Sequence, residues 1–361
     1  MRIVIVGAGV MGSATALELA QKGVKEIIVV ERSVPGAEAS SAAAGMLAAQ
    51  IESRDDAELD GFVAARNAYG AWAWALRDKT GIDIGHHQTG ALCIYREEAL
   101  AAEARRKVEA QRAHGLAAEW LDGAGARRVE KELADDILGA AYFPDEAQVE
   151  PPRLVRALAA ATAQAGIVMR TGTTVSTLLS EGGRCAGVSI VSGDGAREVL
   201  RADAVVLAAG SWSSLVPGIP EQLPRVRPVR GQIVMLEERS PRLRSIVFSD
   251  HAYVVPRGDG RVVCGATMES VGHCREITAA GIHKVLANTL SIAPRLGEAA
   301  LVSSWCNFRP LVVTRTGEPG VPLVGTTPLP GLFIATGHHR NGILLAKAAA
   351  EAVANAITGA L

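Results

Sequence analysis

The chain begins with an unbroken run of apolar, mostly β-branched residues and then changes to a helical pattern. Ile3 to Val6 contains no polar position, which is typical of a central parallel strand that is covered on both faces. After a glycine-rich turn, the residues from Ser13 to Gln21 have apolar positions at helical spacing. A second apolar run, Ile27 to Val30, ends at Glu31. This order predicts a strand, a tight turn, a helix and a second strand parallel to the first.

Three glycines in the turn have the spacing of a loop that binds a dinucleotide. Gly7 permits the tight turn, Gly9 lets the backbone approach a pyrophosphate, and Gly12 lets helix and strand pack closely. The phosphates of such a ligand lie at the helix N-terminus. Glu31 follows Gly12 at about 20 residues, the distance that suits hydrogen bonds to ribose hydroxyls. Its charge disfavours NADP, but the motif alone does not distinguish NAD from FAD.

Later apolar runs extend this pattern. Two of them, Ala204 to Gly210 and Gly331 to Gly337, have the pattern of a buried strand that ends at a glycine. They predict that the chain returns more than once to the sheet that binds the dinucleotide. Val226 to Glu237 and Ala252 to Met268 are short β-branched runs separated by turns, typical of an antiparallel sheet. Helices are predicted at Asp55 to Lys79, Ala99 to His114, Leu154 to Ala165 and around Ile277 to Arg295, and further strands at Gly90 to Tyr95 and Val188 to Val191.

Together these elements predict a mixed α/β fold with two interleaved domains. One is a dinucleotide-binding domain of Rossmann type, and the other is an inserted substrate domain with an antiparallel or mixed sheet. We expect the first to comprise residues 1–88, 145–222 and 300–361, and the second to comprise residues 89–144 and 223–299.

Charge and cysteine usage exclude several classes of protein. The 37 basic residues are balanced by 38 acidic ones and only 4% of residues are aromatic, which disfavours nucleic-acid binding. No apolar run reaches about 18 residues without a charge, so no transmembrane segment is predicted. Five scattered cysteines without a Cys-x-x-Cys pair, and histidines without metal spacing, indicate reduced thiols and no metal site. Met1 leads directly into the first strand without a signal peptide, so we expect a cytoplasmic protein.

Ser40 to Met46 is a run of very small residues. Side chains of this size let backbone amides lie close to a flat ligand, although a small-residue loop packed on the sheet would have the same composition.

Several segments carry motifs more specific than any single pattern above. They are the unit from Gly7 to Glu31, Ser41 to Met46, Pro228 to Gln232, Asp250 to Arg257, Val263 to Met268, Arg309-Pro310 and Gly337 to Ala346. With them, nearly the whole chain resembles the family of FAD-dependent D-amino-acid oxidases and glycine oxidases. Within that family the resemblance is to the glycine oxidases of thiamine biosynthesis. The most specific motif is Arg340 to Leu345, which follows a glycine that ends a strand.

The resemblance implies noncovalently bound FAD. The adenosine and pyrophosphate would meet Gly7, Gly9, Val10, Met11, Gly12, Glu31 and Arg32, with Val175 on the adenine side and Gly210 at the end of a strand. The isoalloxazine ring would lie near Ser40, Ser41, Ala44, Gly45 and Met46, and near the loop of Gly337, His338, His339, Arg340, Asn341, Gly342, Ile343 and Leu344.

The resemblance also implies a small amino-acid substrate. An arginine suits its carboxylate, because the planar guanidinium fork binds a carboxylate with two hydrogen bonds. Arg309 matches the family's anchor, Arg340 would add a second positive charge, and Tyr253 would close over the carboxylate. His251 and Met268 match residues that roof the site. No general base is assigned, because an amine that arrives deprotonated needs none.

The expected activity is oxidation of glycine or a similarly small primary or secondary amino acid by hydride transfer from Cα to flavin N5. O2 would reoxidise the flavin and give hydrogen peroxide. Three alternatives stay open: a D-amino-acid, sarcosine or proline dehydrogenase that passes electrons to a quinone or partner protein, a noncatalytic subunit that binds FAD or another dinucleotide, and an NAD dehydrogenase. The late strands that end at a glycine disfavour the last of these. The oligomeric state is also open, with a homo-oligomer as one option.

Three positions depart from the family pattern. His339 stands where Tyr or Phe is usual, Lys347 stands where proline is expected, and Cys306 to Phe308 precede Arg309 where small residues are usual. We expect these differences to bear on the substrate more than on the cofactor.

Overall fold

A six-stranded sheet forms around the first predicted strand. The computed structural model describes residues 1–240 and 242–360. In spatial order the strands are β19 (Leu323–Thr326), β20 (Leu332–Thr336), β13 (Ala204–Leu207), β1 (Arg2–Val6), β2 (Glu26–Val30) and β9 (Val168–Arg170). All neighbours run parallel except β19, which is antiparallel to β20. Both late glycine-ended strands therefore return to this sheet, as their pattern predicts.

The helix after β1 starts earlier than the apolar spacing predicts. Helix α1 (Val10–Gln21) has Gly9 as its N-cap, so the end of the glycine-rich turn forms the first helical turn. Gly12 lies inside this helix, and a Cβ there would stand 1.9 Å from the carbonyl oxygen of Gly7. Only glycine permits this approach, which brings the helix N-terminus against the end of the sheet.

An eight-stranded mixed sheet is the second large sheet of the described chain. In spatial order its strands are β18 (Ala300–Val313), β14 (Arg225–Glu237), β17 (Arg261–Gly265), β16 (Tyr253–Pro256), β15 (Ile246–Phe248), β5 (Ala91–Tyr95), β7 (Gly139–Phe143) and β6 (Glu119–Asp122). Neighbours are antiparallel except β15 and β5, which run parallel. The predicted combination of a Rossmann-type sheet and a mixed sheet is confirmed.

The remaining helices and strands complete the described part of the chain. The helices are α2 (Ala39–Ala42), α3 (Ala49–Glu52), α4 (Asp56–Thr80), α5 (Glu98–Ala113), α6 (Gly123–Val129), α7 (Pro151–Gln164), α8 (Ala279–Ile292) and α9 (Ala346–Ala360), with 3-10 turns at Gly210–Leu215 and Pro294–Glu298. The remaining strands are β3 (Met46–Leu47), β4 (His87–Gln88), β8 (Ala147–Gln148), β10 (Thr173–Glu181), β11 (Arg184–Ser192) and β12 (Arg197–Arg201). Within these described ranges, none of the helices is both long and apolar enough to span a bilayer.

The pairing of β18 differs from the domain boundary expected from the sequence. That boundary assigns residues 300–361 to the dinucleotide domain, but β18 pairs with β14 from Ala300 to Val313. A long antiparallel pair is stabilised by continuous backbone hydrogen bonds, which local sequence does not reveal. The division into two interleaved domains stays a prediction, and strand pairing places residues 300–313 with the mixed sheet.

Lys347, one of the departures from the family pattern, lies away from the expected ligand sites. Its Nζ is 2.7 Å from Glu18 Oε1, and it also pairs with Glu351. Glu18 belongs to α1 and Lys347 to α9, so this side chain joins two packed helices. The expectation that Lys347 bears on the substrate is therefore not supported.

The contact at Gly12 generates a stability prediction. We expect Gly12→Ala to lower the free energy of unfolding by about 2 kcal/mol or more, because the new methyl group overlaps backbone that cannot rotate away. Gly61→Ala is the control, since Gly61 lies in α4 with open space around it. It should raise the free energy of unfolding by about 0.5–1 kcal/mol through helix propensity. Denaturant unfolding of both variants measures the difference, and a Gly12→Ala protein as stable as the wild type would contradict it.

Candidate active site

A cavity of about 310 Å³ lies where the parallel strands of the six-stranded sheet end. Its walls include the last residues of three strands, Val6, Val30 and Thr336, and Ala208, which directly follows a fourth strand, β13. Ligands of open parallel sheets bind at this edge, where the strand order changes direction. The N-terminus of α1 opens onto the same cavity through Gly9 and Val10.

The glycine-rich turn shapes the floor of this first cavity. Gly7 has a φ of +103°, and a Cβ there would stand 2.5 Å from the carbonyl oxygen of Ala208. Gly9 borders the cavity and leaves the backbone open to a ligand. The amide of Val10 donates to Ser40 Oγ at 3.0 Å, so this Ser positions the small-residue run beside the helix N-terminus. A pyrophosphate fits the helix N-terminus because free amides and the helix dipole favour an anion there.

Glu31 lies at the end of β2 and borders the cavity, as expected of a residue that binds ribose. Its carboxylate accepts hydrogen bonds from the backbone amides of Ala8 and Ser33, each at 2.9 Å. These two bonds fix the carboxylate and leave it further acceptor positions, because a carboxylate can accept about four hydrogen bonds.

A cluster of aromatic and charged side chains forms another part of the wall of the first cavity. The Arg32 guanidinium lies 3.9 Å from the centroid of the Trp212 ring, and Arg32 also pairs with Glu38. Trp212 stacks on His273 with a centroid separation of 3.8 Å. This cation–π contact and stack fix the wall of the cavity beyond Glu31.

Two buried nitrogen atoms in the cavity wall fit a polar ligand, since the indole N–H donates and a neutral imidazole nitrogen donates or accepts according to its tautomer. Trp212 Nε1 and His339 Nε2 meet no hydrogen-bond partner among the described residues. Burying such a group without a partner costs about 1–3 kcal/mol, which a bound ligand can offset. Together with the glycine turn and Glu31, they fit the expected dinucleotide.

A second cavity of about 90 Å³ adjoins the first. The two share Ala39, Ala43, His339, Arg340 and Ile343. The small-residue run forms one side of the second cavity, and the face of the eight-stranded sheet forms the other. Three charged side chains line it, namely Glu52, Arg309 and Arg340.

Arg309 reaches this cavity because a glycine on the next strand leaves room for it. Arg309 lies on β18, and a Cβ on Gly231 of β14 would stand 2.5 Å from Arg309 Nη1 and 2.6 Å from Nη2. Arg309 Nη1 donates to the carbonyl oxygen of Thr267 at 3.1 Å. One hydrogen bond to the backbone leaves most of the five N–H donors of the guanidinium for a ligand.

Tyr253 approaches from the other direction in the same way. It lies on β16 opposite Gly265 of β17, where a Cβ would stand 2.5 Å from the phenol oxygen. Burial raises the pKa of Tyr253, while the nearby charges of Arg309 and Arg340 lower it in part. The phenol therefore stays protonated at neutral pH and can donate a hydrogen bond beside Arg309.

Arg340 borders both cavities, but its charge is already paired. Its Nε lies 3.0 Å and its Nη2 lies 2.5 Å from Glu52 Oε1. Burial alone would lower the pKa of Arg340, but the charge and hydrogen bond of Glu52 raise it above the ordinary value. Arg340 is thus held in the wall by Glu52, a residue that the sequence analysis did not select.

The two histidines of this loop are uncharged. Burial lowers the pKa of His338 to about 4. Burial and the charges of Arg309 and Arg340 lower the pKa of His339 to about 4 as well. His339 also has a φ of +48°, so the loop turns sharply at the point where the two cavities meet. At neutral pH these rings add no positive charge to the site.

Arg257 fixes the small-residue run from behind. Its guanidinium donates to Gln148 Oε1 at 2.7 Å, to the Val149 carbonyl oxygen at 3.0 Å and to the Ala44 carbonyl oxygen. Burial lowers the pKa of Arg257 to about 10, so it stays charged at neutral pH. The guanidinium ties the loop at Ala44 to the strands behind it, which keeps that loop beside the second cavity.

Most of the predicted site residues border one of the two cavities. The first is lined by Gly7, Gly9, Val10, Met11, Glu31, Arg32, Ser40, Val175, Gly210, His338, His339, Arg340, Gly342 and Ile343. The second is lined by Ala44, Gly45, Met46, Tyr253, Arg309 and Asn341, besides the shared residues. Their roles in binding stay predictions.

Other predicted residues lie outside both linings. Gly12 permits helix packing, Leu344 is buried in the core, and Gly337 lets its strand end approach Val312. Ser41 borders a separate surface pocket. His251 and Met268 border neither cavity, and the Met268 side chain is 57% exposed, so their predicted role as a roof that excludes water is not supported.

Cys306 also lies away from the cofactor cavity. It is buried in β18 and borders the same surface pocket as Ser41.

Sequence reasoning missed Glu52, Glu38, Trp212 and the strand glycines Gly231 and Gly265 as parts of the site. A glycine inside a strand indicates a close approach by another group, and this signal was present in the sequence at both strand glycines. Glu52 and Arg340 lie far apart in the sequence, so no local sequence pattern indicates that they form a pair.

Comparison with known proteins identifies relatives along almost the whole chain. A family model described as FAD dependent oxidoreductase (DAO) matches residues 2–356. Glycine oxidase from Geobacillus kaustophilus is 34% identical over 359 residues, which cover 98% of this chain and 92% of that protein. Its crystal structure has a TM-score of 0.91 to this structure, over 99% of this chain and 94% of that chain.

Two further relatives are a protein about twice as long as this chain and an oxidase named for a different substrate. Bifunctional protein ThiO/ThiG from Nostoc sp. is 34% identical over 361 residues, which cover 98% of this chain but 52% of that protein. The chain thus spans about half the length of this relative. The crystal structure of iminodiacetate oxidase from Chelativorans sp. has 26% identity and a TM-score of 0.86, over 99% of this chain and 95% of that chain.

The lowered pKa of His339 generates a prediction about pH. Because the unfolded chain binds this proton near pH 6.5 and the folded protein only near pH 4, stability should fall as the pH decreases between these values. Between pH 7.5 and pH 5 this shift contributes at most about 2 kcal/mol, because only the part of it above pH 5 is sampled. Urea unfolding at pH 7.5 and pH 5 measures the difference in the free energy of unfolding.

Two variants isolate the contribution of His339. His339→Phe supplies the aromatic side chain usual in the family, and His339→Asn keeps a polar side chain that tolerates positive φ. Neither side chain titrates, so both variants should depend less on pH than the wild type over this range. A dependence equal to that of the wild type in both would show that His339 does not cause it.

Proposed function

The chain belongs to the FAD-dependent oxidoreductase family, and we propose that it oxidises glycine or a similarly small amino acid to the imine. FAD is the cofactor of the family, and the first cavity has the glycine turn and acidic strand end that suit it. The observation that carries the proposal is the placement of Arg309 and Tyr253 together in a small cavity next to the cofactor cavity. A cation and a phenol donor at this position suit the carboxylate of an amino acid.

The chemistry itself comes from the cofactor. When bound, FAD supplies the electron acceptor for a hydride from Cα and passes the electrons to O2, giving hydrogen peroxide. The protein must therefore bind the carboxylate, orient Cα and exclude water. Each of these tasks corresponds to particular residues of the second cavity.

Arg309 would bind the substrate carboxylate through the two prongs of its guanidinium. Thr267 holds one of its nitrogen atoms through a backbone hydrogen bond, so the fork is oriented before a ligand arrives. Tyr253 would donate its phenol proton to the same carboxylate, because its raised pKa keeps the proton in place. Two fixed contacts to the carboxylate restrict the position of Cα. The binding energy of the carboxylate thus orients the Cα–H bond that reacts.

The size and walls of the cavity favour a small substrate. The cavity has a volume of about 90 Å³. Ile233 and Tyr253 line it on the side of the sheet, and the loop from Ala43 to Met46 lines the other side. Apolar groups on both sides exclude water from the reacting carbon. His339 is uncharged, so it adds no cation that would repel a substrate ammonium.

Electron transfer to O2 and a cytoplasmic location belong to this proposal. Two of the relatives above are named as oxidases, which supports O2 as the acceptor over a quinone or a partner protein. All five cysteines have free thiols, which suits a reducing compartment. A link with thiamine biosynthesis is a further part of the proposal. It is supported by the name ThiO/ThiG of the relative that is about twice as long.

Anaerobic flavin reduction tests the activity directly. Mixing the FAD-loaded protein with glycine, sarcosine, D-alanine or D-proline should bleach the flavin, with the smallest substrates the most effective. Admitting air should restore the flavin absorbance and produce hydrogen peroxide at one equivalent per amine. Absence of bleaching by all four would refute the proposal, and bleaching without peroxide would indicate a dehydrogenase.

Substituting Arg309 tests the carboxylate anchor. Arg309→Lys keeps the charge but loses the fork, and we expect KM for glycine to rise roughly 10- to 100-fold, the range for a charge-assisted hydrogen bond. Gly231→Ala leaves the arginine in place but displaces it, since the new Cβ would lie within 2.7 Å of three guanidinium atoms. Both variants should raise KM more than they lower kcat. Arg227→Lys, an exposed position on β14, is the control that should leave KM unchanged.

A further inference from the structure

We propose that Glu52 determines which substrates the site accepts by charge. By neutralising Arg340, it leaves Arg309 as the one unpaired charge among the described residues that line the second cavity. The site would then accept amino acids with one carboxylate and reject dicarboxylic amines such as iminodiacetate. This inference rests on the proposed function, since it concerns the same cavity.

The pair is placed inside the cavity wall. Glu52 Oε1 accepts hydrogen bonds from two nitrogen atoms of Arg340, at 3.0 and 2.5 Å. The Glu52 side chain is 15% exposed and the Arg340 side chain is 36% exposed, and both residues border the second cavity. A partly buried ion pair of this kind is screened less than one on the open surface.

The helix that carries Glu52 is held at its N-terminal end by an acidic side chain. Glu146 is fully buried and accepts hydrogen bonds from the amides of Ala49 at 2.9 Å and Gln50 at 2.5 Å. Arg66 Nη1 lies 3.6 Å from the same carboxylate and donates to Gln50 Oε1 at 2.8 Å. These contacts fix the first turn of α3.

A basic side chain holds the other end of the same helix. Lys107 Nζ donates to the carbonyl oxygens of Ile51 at 3.0 Å and Ser53 at 3.2 Å, on either side of Glu52. An anion at the N-terminus and a cation at the C-terminus are the arrangement that stabilises a helix. Because α3 has only four residues, these contacts hold the backbone of Glu52 in place, and its carboxylate faces Arg340 from a fixed position.

The charge balance of the cavity follows from this geometry. Glu52 and Arg340 cancel, and His339 is neutral, so the cavity presents a single positive charge from Arg309. One substrate carboxylate matches that charge. A second carboxylate would meet Glu52 as a like charge, or would have to displace it from Arg340.

Ligand affinity tests the inference without turnover. Methoxyacetate and diglycolate are the ether analogues of sarcosine and iminodiacetate, and they lack the amine that is oxidised. Their Kd values for the FAD-loaded protein are measured from changes in the flavin spectrum. Because burial raises the pKa of Glu146 to about 7, the titrations are done at pH 8, where its carboxylate is ionised.

The wild type should bind methoxyacetate more tightly than diglycolate. Glu52→Gln removes the charge, frees Arg340 and should shift the ratio of the two Kd values toward diglycolate by about tenfold or more, as one charge-assisted hydrogen bond would. Glu52→Asp keeps the charge and should keep a ratio close to that of the wild type. A ratio unchanged by Glu52→Gln, or a wild type that prefers diglycolate, overturns the inference.

Controls separate this effect from general changes in charge or folding. Glu198→Gln removes an exposed carboxylate that pairs with Arg170, and it should leave the ratio unchanged. In the Glu52→Gln/Arg340→Gln double variant the shift toward diglycolate should disappear, since the freed cation is gone. If Glu52→Gln does not bind flavin, Arg340→Gln alone gives the test, because an unpaired Glu52 should weaken diglycolate more than methoxyacetate. Equal weakening would overturn the inference.

Turnover extends the test to substrates. The ratio of kcat/KM for iminodiacetate to that for glycine should rise about tenfold in Glu52→Gln. If glycine does not reduce the flavin in the wild type, the proposed function fails, while the Kd ratios still decide the role of Glu52.

Discussion

Two glycines on neighbouring strands, Gly231 and Gly265, are the constraint on which the substrate side of this protein depends. Arg309 and Tyr253 start from strands on either side of β14 and β17, and each side chain passes over a glycine toward the space between them. Any side chain at these glycines would occupy the place of the guanidinium or the phenol. Both side chains thereby reach the second cavity from the face of the sheet, opposite the loops that line its other side.

Once a guanidinium is brought into a small apolar cavity, the surrounding charges must be controlled. In this structure the neighbouring ionisable groups are either neutral or paired with an opposite charge. His338 is buried and His339 is half-buried, both are uncharged at neutral pH, and Arg340 is neutralised by Glu52. The low dielectric that makes an unpaired charge costly also strengthens its attraction for a ligand of opposite charge. In the proposed function, this one unpaired cation is what selects a substrate with one carboxylate.

The cofactor side was largely predictable because its determinants are local. The strand, glycine turn, helix and acidic strand end lie within the first 31 residues, and each follows from the period or the steric size of neighbouring residues. The late strands β13 and β20 were also recognised, since each is continuously apolar and ends at a glycine. The substrate side depended more on the family resemblance, which supplied Arg309 and Tyr253 but also His251 and Met268, which border neither cavity.

By itself, the sequence determined the fold class, the family and the cofactor, and it predicted part of the lining of the first cavity. These properties depend on patterns within about 30 residues, or on motifs that keep their order along the chain. Only the tertiary structure decided that β18 pairs with β14, that Arg309 lies over Gly231, and that Glu52 neutralises Arg340 across the site. These contacts join residues far apart in the chain, and no local periodicity records them, because they form only when separate segments pack against each other.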